Sequence, residues 1–390
     1  MKSLLLAAIA SSVFSNPIIS GFAPDPSVVR VGDDFYLVNS TFEYFPGIPV
    51  YHSKDLVNWE LISYAIHDPS QAALGGIKSS DGIHASTIRH HNGMFYVITT
   101  NNIDGNMVNF IVTAEDPRGP WSAPYVLNDA PGIDPSLFFD DDGRVWYVGN
   151  RMPPDPDFDG QADIWLQELD LDIMQLKGRK YYLWRGCCQG VWAEGPHIYK
   201  KDGYYYLLIS EGGTSYDHAL SIAISKDIKG PYQNNPRNPV LTHRHLSYDT
   251  PITGVGHADL VELDDGRWYA VLLGWRLVDG QHGILGRETF LVPVTWETEP
   301  YPWKEEKLTF PVFSPVTGRV ELGFAMPFDG TMQKEPFAFK DEFDADSLGL
   351  EWNFRRPPTE AFHSLNDNKG SLRLYMKPEA IAERAEYSFT

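Results

Sequence analysis

Five stretches of this chain repeat one pattern, and that repeat limits the fold more than any other feature of the sequence. Each opens on a polar or charged residue and passes through a small residue or proline into an apolar run. A turn follows, then an aromatic-rich run. The stretches read DPSVVRVGDDFYLV from Asp25, HASTIRHHNGMFYVIT from His84, DPSLFFDDDGRVWYVG from Asp134, EGPHIYKKDGYYYLLI from Glu194 and HADLVELDDGRWYAVL from His257. From the opening residue to the aligned tyrosine (Tyr36, Tyr96, Tyr147, Tyr206, Tyr269) the distances are 11, 12, 13, 12 and 12 residues. Asn92-Gly93, Asp142-Gly143, Asp202-Gly203 and Asp265-Gly266 are dipeptides that accept positive φ in tight hairpins. The flanking residues are β-branched and aromatic, as strands prefer. Successive units start 50 to 63 residues apart, which leaves room for two more strands in each. Four strands per repeat is the content of a propeller blade. The expected fold is therefore all-β, a five-bladed β-propeller over residues 16–325, followed by a linker at 326–339 and a segment of different character at 340–390.

A propeller sets the first strand of every blade beside the central axis. Residues 25, 84, 134, 194 and 257 are then expected to meet in a ring at one end of that axis. Any one of them reads equally well as a residue capping a strand start. Three acids and two histidines gathered in one cleft are harder to explain that way, because like charges close together are costly. Paired carboxylates across a cleft are the usual equipment for glycoside hydrolysis, where one stays protonated to assist the leaving oxygen and another stays charged to activate water. Glu194 would feel Asp134, which raises its pKa, and a cation such as Arg287 would hold Asp25 ionised.

Charge narrows the range of partners. The chain has 52 acidic against 32 basic residues, a formal charge of −20, so it repels nucleic acid and disfavours polyanionic polysaccharides. A neutral substrate meets no such barrier. The start reads as a secretory signal over residues 1–15: Lys2, an apolar run from Ser3 to Ala10, and Val13-Phe14-Ser15 ahead of a cleavage point before Asn16. A first core strand is the other reading of the same residues. No later stretch approaches the ~20 apolar residues of a membrane span, and the expected location is extracellular. Cys187 and Cys188 are the only cysteines, adjacent, and either two thiols or a strained vicinal disulfide. The sequon Asn39-Ser40-Thr41 falls inside a strand-like run and is expected to be unmodified.

The motifs resemble glycoside hydrolase family 43, the inverting β-xylosidases and α-L-arabinofuranosidases. The resemblance runs from residue 16 to about 325. It is carried by NPIISGFAPDPSVVRVGDDFYLVNSTFEYFPGIPVYHSKDLVNW, GIDPSLFFDDDGRVWYVGN, EGPHIYKKDGYYYLLISEGGT, and GVGHADLVE followed by GILGRETFLVPVTW. It implies that Asp25 is the general base, Glu194 the general acid, and Asp134 the third acid that tunes and orients Glu194. It places His257 at the axial histidine and Arg287 at the sugar-contacting arginine, with Phe42, Tyr44, His84 and Thr214 as further substrate-binding positions. For the aromatics a place in the core is an equal alternative. The implied activity is an exo-acting β-xylosidase on xylan or arabinoxylan oligosaccharides, with α-L-arabinofuranosidase as the alternative. No cofactor is required, though a structural Ca2+ near the axis is compatible with the resemblance. Family β-xylosidases commonly have Trp-Ala-Pro where this chain has His84-Ala85-Ser86, which leaves the preferred sugar open.

From Lys340, DEFDADSLGLEWNFRRPP and GSLRLYMKP look like the opening strands of the concanavalin-like β-sandwich that follows the propeller in many of these enzymes. Fifty residues are too few to close one, so an incomplete module is expected. Asp155-Pro156-Asp157-Phe158-Asp159-Gly160 copies half of a calcium loop, but Leu166 stands where the bidentate glutamate belongs. His90, His91, His243 and His245 are expected in loops or on the surface. Retaining propeller hydrolases such as invertases are the enzymatic rival, yet they carry an Asn-Asp-Pro-Asn type of motif and Asp25 follows Ala-Pro. A non-catalytic sugar-binding propeller is the rival of another class, and it would have little use for three convergent acids.

Overall fold

The dipeptide turns close the hairpins their chemistry suggests. Asn92-Gly93 and Asp202-Gly203 form two-residue loops with both residues at positive φ, pairing His91 with Met94 and Lys201 with Tyr204. The structure is a computed structural model that describes residues 12–187, 190–280, 282–333, 339–378, 380 and 385–389. Each repeat opens a separate antiparallel meander. Blade 1 comprises Ser27–Val31, Asp34–Val38, Gly47–Ser53 and Glu60–Ile66, and blade 2 Gly82–His91, Met94–Ile103, Asn106–Ala114 and Tyr125–Val126. Blade 3 comprises Ser136–Phe139, Val145–Arg151, Asp163–Asp170 and Gln175–Trp184. Blade 4 runs Glu194–Lys201, Tyr204–Glu211, Ala219–Ser225 and Gln233–Asn234, with Leu241–Thr242 also on its third strand. Blade 5 runs Ile252–Glu262, Trp268–Arg276, Arg287–Thr298 and Thr309–Phe313. The first strands of the five blades touch in a closed cycle, each its two neighbours and the fifth the first again. That cycle is the propeller axis.

One side chain from every blade meets there. Arg89 of blade 2 donates to Asp259 of blade 5 (2.7 and 3.2 Å) and to Ser27 of blade 1 (3.2 Å), and its second nitrogen lies 2.9 Å from His197 Nδ1 of blade 4. Ser136 of blade 3 completes the set at 3.0 Å from the same imidazole nitrogen. Burial alone would raise the Asp259 pKa, but Arg89 and His197 hold the carboxyl far below the usual carboxylate range. Burial pushes His197 down to about 3, so its ring is neutral. The axis is closed by a hydrogen-bonded ion pair rather than by an apolar plug.

The ring is also sealed from the N-terminal side. Val13–Ser15 pairs with Gly323–Ala325, and Phe14 is fully buried against blades 1 and 5. Asn16 clips onto Leu291 through both side-chain atoms (2.9 and 3.0 Å). Val13–Ser15, the tail of the signal expected over residues 1–15, is thus a strand packed on the core in this fold. Residues 1–11, which hold the rest of the expected signal, and Cys188 lie outside the described residues. Asn39 is buried and donates to Pro24 and Thr289, so the sequon side chain is held inside the fold. His243 lies in the loop expected for it, but it is buried there, between Ile252 O (2.7 Å) and the Val320 amide (2.9 Å).

Beyond residue 339 the described chain forms a two-stranded pair, His363–Ser364 with Arg373–Leu374, and a short helical turn at Ala385–Tyr387. Phe354 bridges Phe45 of the propeller on one side and Phe389 on the other.

Candidate active site

The ring residues sit where regular pairing breaks down at the head of each inner strand. Asp25 and Asp134 precede their strands at φ 52° and 55°, and His257 sits inside its strand at φ 49°. Register shifts fall at 83–86 in blade 2, 194–197 in blade 4 and 256–259 in blade 5. Irregularities of this kind re-aim a side chain out of the pleat, and aspartate tolerates left-handed backbone better than most residues. Five local breaks therefore turn five side chains towards the mouth of the axis.

They converge. Asp25, His84, Asp134, Glu194 and His257 line one cavity of about 190 Å3 together with Phe42, Ala85, Ile133, Thr214 and Arg287. Tyr44 is the one expected binding residue that does not line it. Its amide folds back on Thr41 O (2.9 Å) and its ring packs edge-on against Phe22, 5.3 Å between centroids. Phe42 does face the cavity, with its ring 5.0 Å from His84 and 5.1 Å from the Arg287 guanidinium carbon.

The three acids share one cavity but not one ionisation state. Burial works to raise the Asp25 pKa, yet the net shift is downward, because Arg287 donates to Oδ1 at 3.0 Å and His257 lies 3.8 Å away. The Ser40 hydroxyl donates to Oδ2. Glu194 is pushed well up by burial, then by the charges of Asp134 and Asp25, and Arg287 opposes this only in part. Asp134 is raised by burial and by Asp25, while His257, His84 and the Gly195 amide (3.1 Å) hold it back. Burial lowers His84, so it is neutral around pH 7. The result is a carboxyl held down beside Arg287 facing one pushed up by burial and its acidic neighbours, the division of labour an acid and a base need.

His218 belongs to this arrangement and the sequence reading missed it. It is fully buried, and Nδ1 lies 3.2 Å from Gly254 O, a group that only accepts, so Nδ1 carries the proton. Its bare Nε2 then faces Glu194 Oε1 at 3.9 Å, and burial lowers the ring's pKa to about 4. Gly256 makes the room, since a Cβ there would come within 2.4 Å of the imidazole. His218 offers Glu194 no proton donor, which leaves the carboxylate form unsupported on that side.

Calcium does not fit the axis as these residues are arranged. The acceptors of Asp259, Ser27 and His197 are already engaged by Arg89, and among the described residues no group of three or more His, Cys, Asp or Glu converges to hold a metal ion. Asp157 of the acidic loop is paired with Arg185.

Known proteins match along most of the chain. Residues 14–302 fit the family model described as glycosyl hydrolases family 43, and residues 340–390 fit the beta xylosidase C-terminal concanavalin A-like domain. The chain is 48% identical over 387 residues to a xylosidase/arabinosidase of Butyrivibrio fibrisolvens, covering 97% of this chain and 71% of that one. It is 44% identical to a non-reducing end alpha-L-arabinofuranosidase of Bacteroides ovatus, with coverages of 94% and 66%. Among solved structures, a xylan beta-1,4-xylosidase from Bacillus halodurans superposes with a TM-score of 0.81 at 39% identity, over 93% of this chain and 68% of that one. The chain thus spans about two thirds of the length of these relatives, from 66% to 71%.

Proposed function

The chain belongs to glycosyl hydrolase family 43, and from that premise we propose that it is an inverting, exo-acting glycosidase releasing single xylose residues from xylan-type oligosaccharides. The observation that carries this reading is that Asp25 and Glu194 face one small cavity in unlike surroundings, Asp25 paired with Arg287 at 3.0 Å and Glu194 buried beside other acids, which lowers the pKa of the first and raises that of the second. At about 190 Å3 the cavity lies below the ~300 Å3 at which drug-sized pockets begin, which suits one sugar ring rather than a run of them.

Each residue then has a task. Asp25 accepts a proton from water as the water oxygen bonds to the anomeric carbon. The glycosidic C–O bond breaks on the opposite face, and its electron pair takes the Glu194 proton, so the leaving sugar departs as a neutral alcohol. Asp134 keeps a negative neighbour close to Glu194 and receives the Gly195 amide, fixing the turn that carries the acid. Arg287 and Phe42 present a donor and an aromatic face to the sugar. These steps need only this chain's side chains and water.

A second substrate, a terminal α-L-arabinofuranose, is favoured by His84. A neutral, partly buried imidazole replaces the larger indole of family β-xylosidases and leaves a different wall. Hydrolysis of paired nitrophenyl β-xyloside and α-arabinofuranoside decides between them. Failure on both refutes the assignment, and a sugar-binding propeller is then the better account. Export is proposed on Lys2 and the apolar run after it, with the junction upstream of Ser12, because Phe14 is needed in the core. The mass of the exported protein checks that junction.

A further inference from the structure

The C-terminal segment reaches the wall of the sugar cavity through a buried arginine. Arg356 is 2% exposed although it carries a guanidinium. One of its terminal nitrogens donates to the carbonyls of Lys78 (2.5 Å) and Asp81 (3.2 Å), and lies 3.9 Å from Glu43. The neighbouring Arg355 pairs with the same Glu43 at 3.0 Å, and Ser79 donates to that carboxylate at 3.0 Å. Backbone bonds between Phe354 and Phe45 (2.7 and 2.8 Å) fasten the segment in place. Tyr64 adds a further tie, donating to Leu350 O at 3.0 Å.

The two loops held this way carry the cavity wall. Phe42 and Ile83 exchange backbone hydrogen bonds of 2.7 and 3.0 Å, and His84 follows directly. The approach is so close that a Cβ at Gly82, which has φ +117°, would lie 2.2 Å from Phe42 O. The same Cβ position is 3.2 Å from the other Arg356 nitrogen, so the guanidinium abuts the crossing from behind. Burying a guanidinium against carbonyls, with one nitrogen left unpartnered, is expensive unless position is what it secures.

We propose that Arg356 is a positioning residue for the sugar cavity: it clamps the loop at 41–46 onto the segment at 78–84, which enters the first strand of blade 2, and so sets where Phe42 and His84 stand. The proposal rests on the reading above that this cavity holds the sugar. Its consequence is that the segment after the propeller takes part in glycone selection through contacts made behind the wall.

The test compares the full chain with its Arg356→Met and Arg356→Lys variants, using nitrophenyl β-xyloside and α-arabinofuranoside and the inhibition constant of free xylose. Lysine retains the charge but lacks the second guanidinium nitrogen that abuts the crossing at Gly82. Both variants are expected to lose about tenfold in kcat/KM, since small misplacements of a binding wall are costly. The xylose inhibition constant is expected to rise, and the ratio of the two substrates to change. Should Arg356→Met not fold, the lysine variant alone carries the test. Folded variants with lower melting temperatures but kinetic constants and substrate ratio within twofold of the parent would overturn the proposal. Failure of the parent itself to hydrolyse either substrate would instead refute the function on which it rests.

Discussion

Arg287 is the residue that separates the two working carboxyls, so replacing it should move the pH profile and not merely lower the rate. Its Nη1 stands 3.0 Å from Asp25 Oδ1, with side-chain exposures of 13% and 5%. At an effective dielectric of ~20, Coulomb's law gives about 5 kcal/mol for such a pair, an upper bound because water refills the space and the rest of the site relaxes. His257 and Ser40 remain beside Asp25. The realistic loss is the ~1–3 pKa units usual for a carboxylate deprived of its arginine, or about 1.4–4 kcal/mol. In Arg287→Met the acid limb of kcat/KM against pH is therefore expected to rise by ~1–3 units. Arg287 also holds down Glu194, so the alkaline limb should move up as well, by a smaller amount. The assay is kcat/KM for a nitrophenyl glycoside from pH 3 to 10. A uniform drop with both limbs unmoved would mean that Arg287 only touches the sugar, and the electrostatic argument would fail.

Glu194→Gln should lose roughly 10²–10⁴-fold on alkyl glycosides, whose leaving oxygen needs a proton, and far less on dinitrophenyl glycosides. Asp25→Asn should lose similarly on both, and equal losses for both substrates in the Glu194 variant would remove its role as acid. Arg89→Met leaves Asp259 buried without its cation, held only by Ser27, Tyr199 and the Val28 amide, which should cost about 3–5 kcal/mol in urea unfolding at pH 7. Because the Asp259 pKa is depressed in the fold, its stabilisation is present above the unfolded value near 4 and is lost as pH falls. The gap between the parent and Arg89→Met should accordingly narrow below about pH 4. An undiminished gap in acid would show that packing, not charge, is what the variant lost.

The architecture was legible because each blade opens with the same local chemistry: a polar head, an apolar strand, a turn and aromatics. Alignment of those heads identified Asp25, His84, Asp134, Glu194 and His257 before any coordinates, since equivalent positions in a closed ring must meet. What escaped were residues whose meaning depends on closure across blades. Arg89 sits among His90, His91 and Asn92, where a charge reads as solvent-facing, and only the return of blade 5 brings Asp259 to it. His218 lies outside the repeated heads, and its contact with Glu194 exists because Gly256, in another blade, yields space. Arg356 lies 274 residues beyond Gly82, in a segment whose own pattern shows only short strands. Val13–Ser15 reads two ways, because a short apolar run has the same composition in a signal and in a core strand.

The central claim is that Asp25 activates water rather than attacking the sugar. Asp25 and Glu194 approach the axis from blades 1 and 4, and an inverting pair needs room for a water, with carboxyls roughly 6.5–9.5 Å apart. Proton NMR of the first minutes of hydrolysis, before mutarotation, reads the outcome directly. From a β-xyloside the account predicts α-xylose as the first product. Initial release of β-xylose, or a sugar trapped covalently on Asp25, would contradict it.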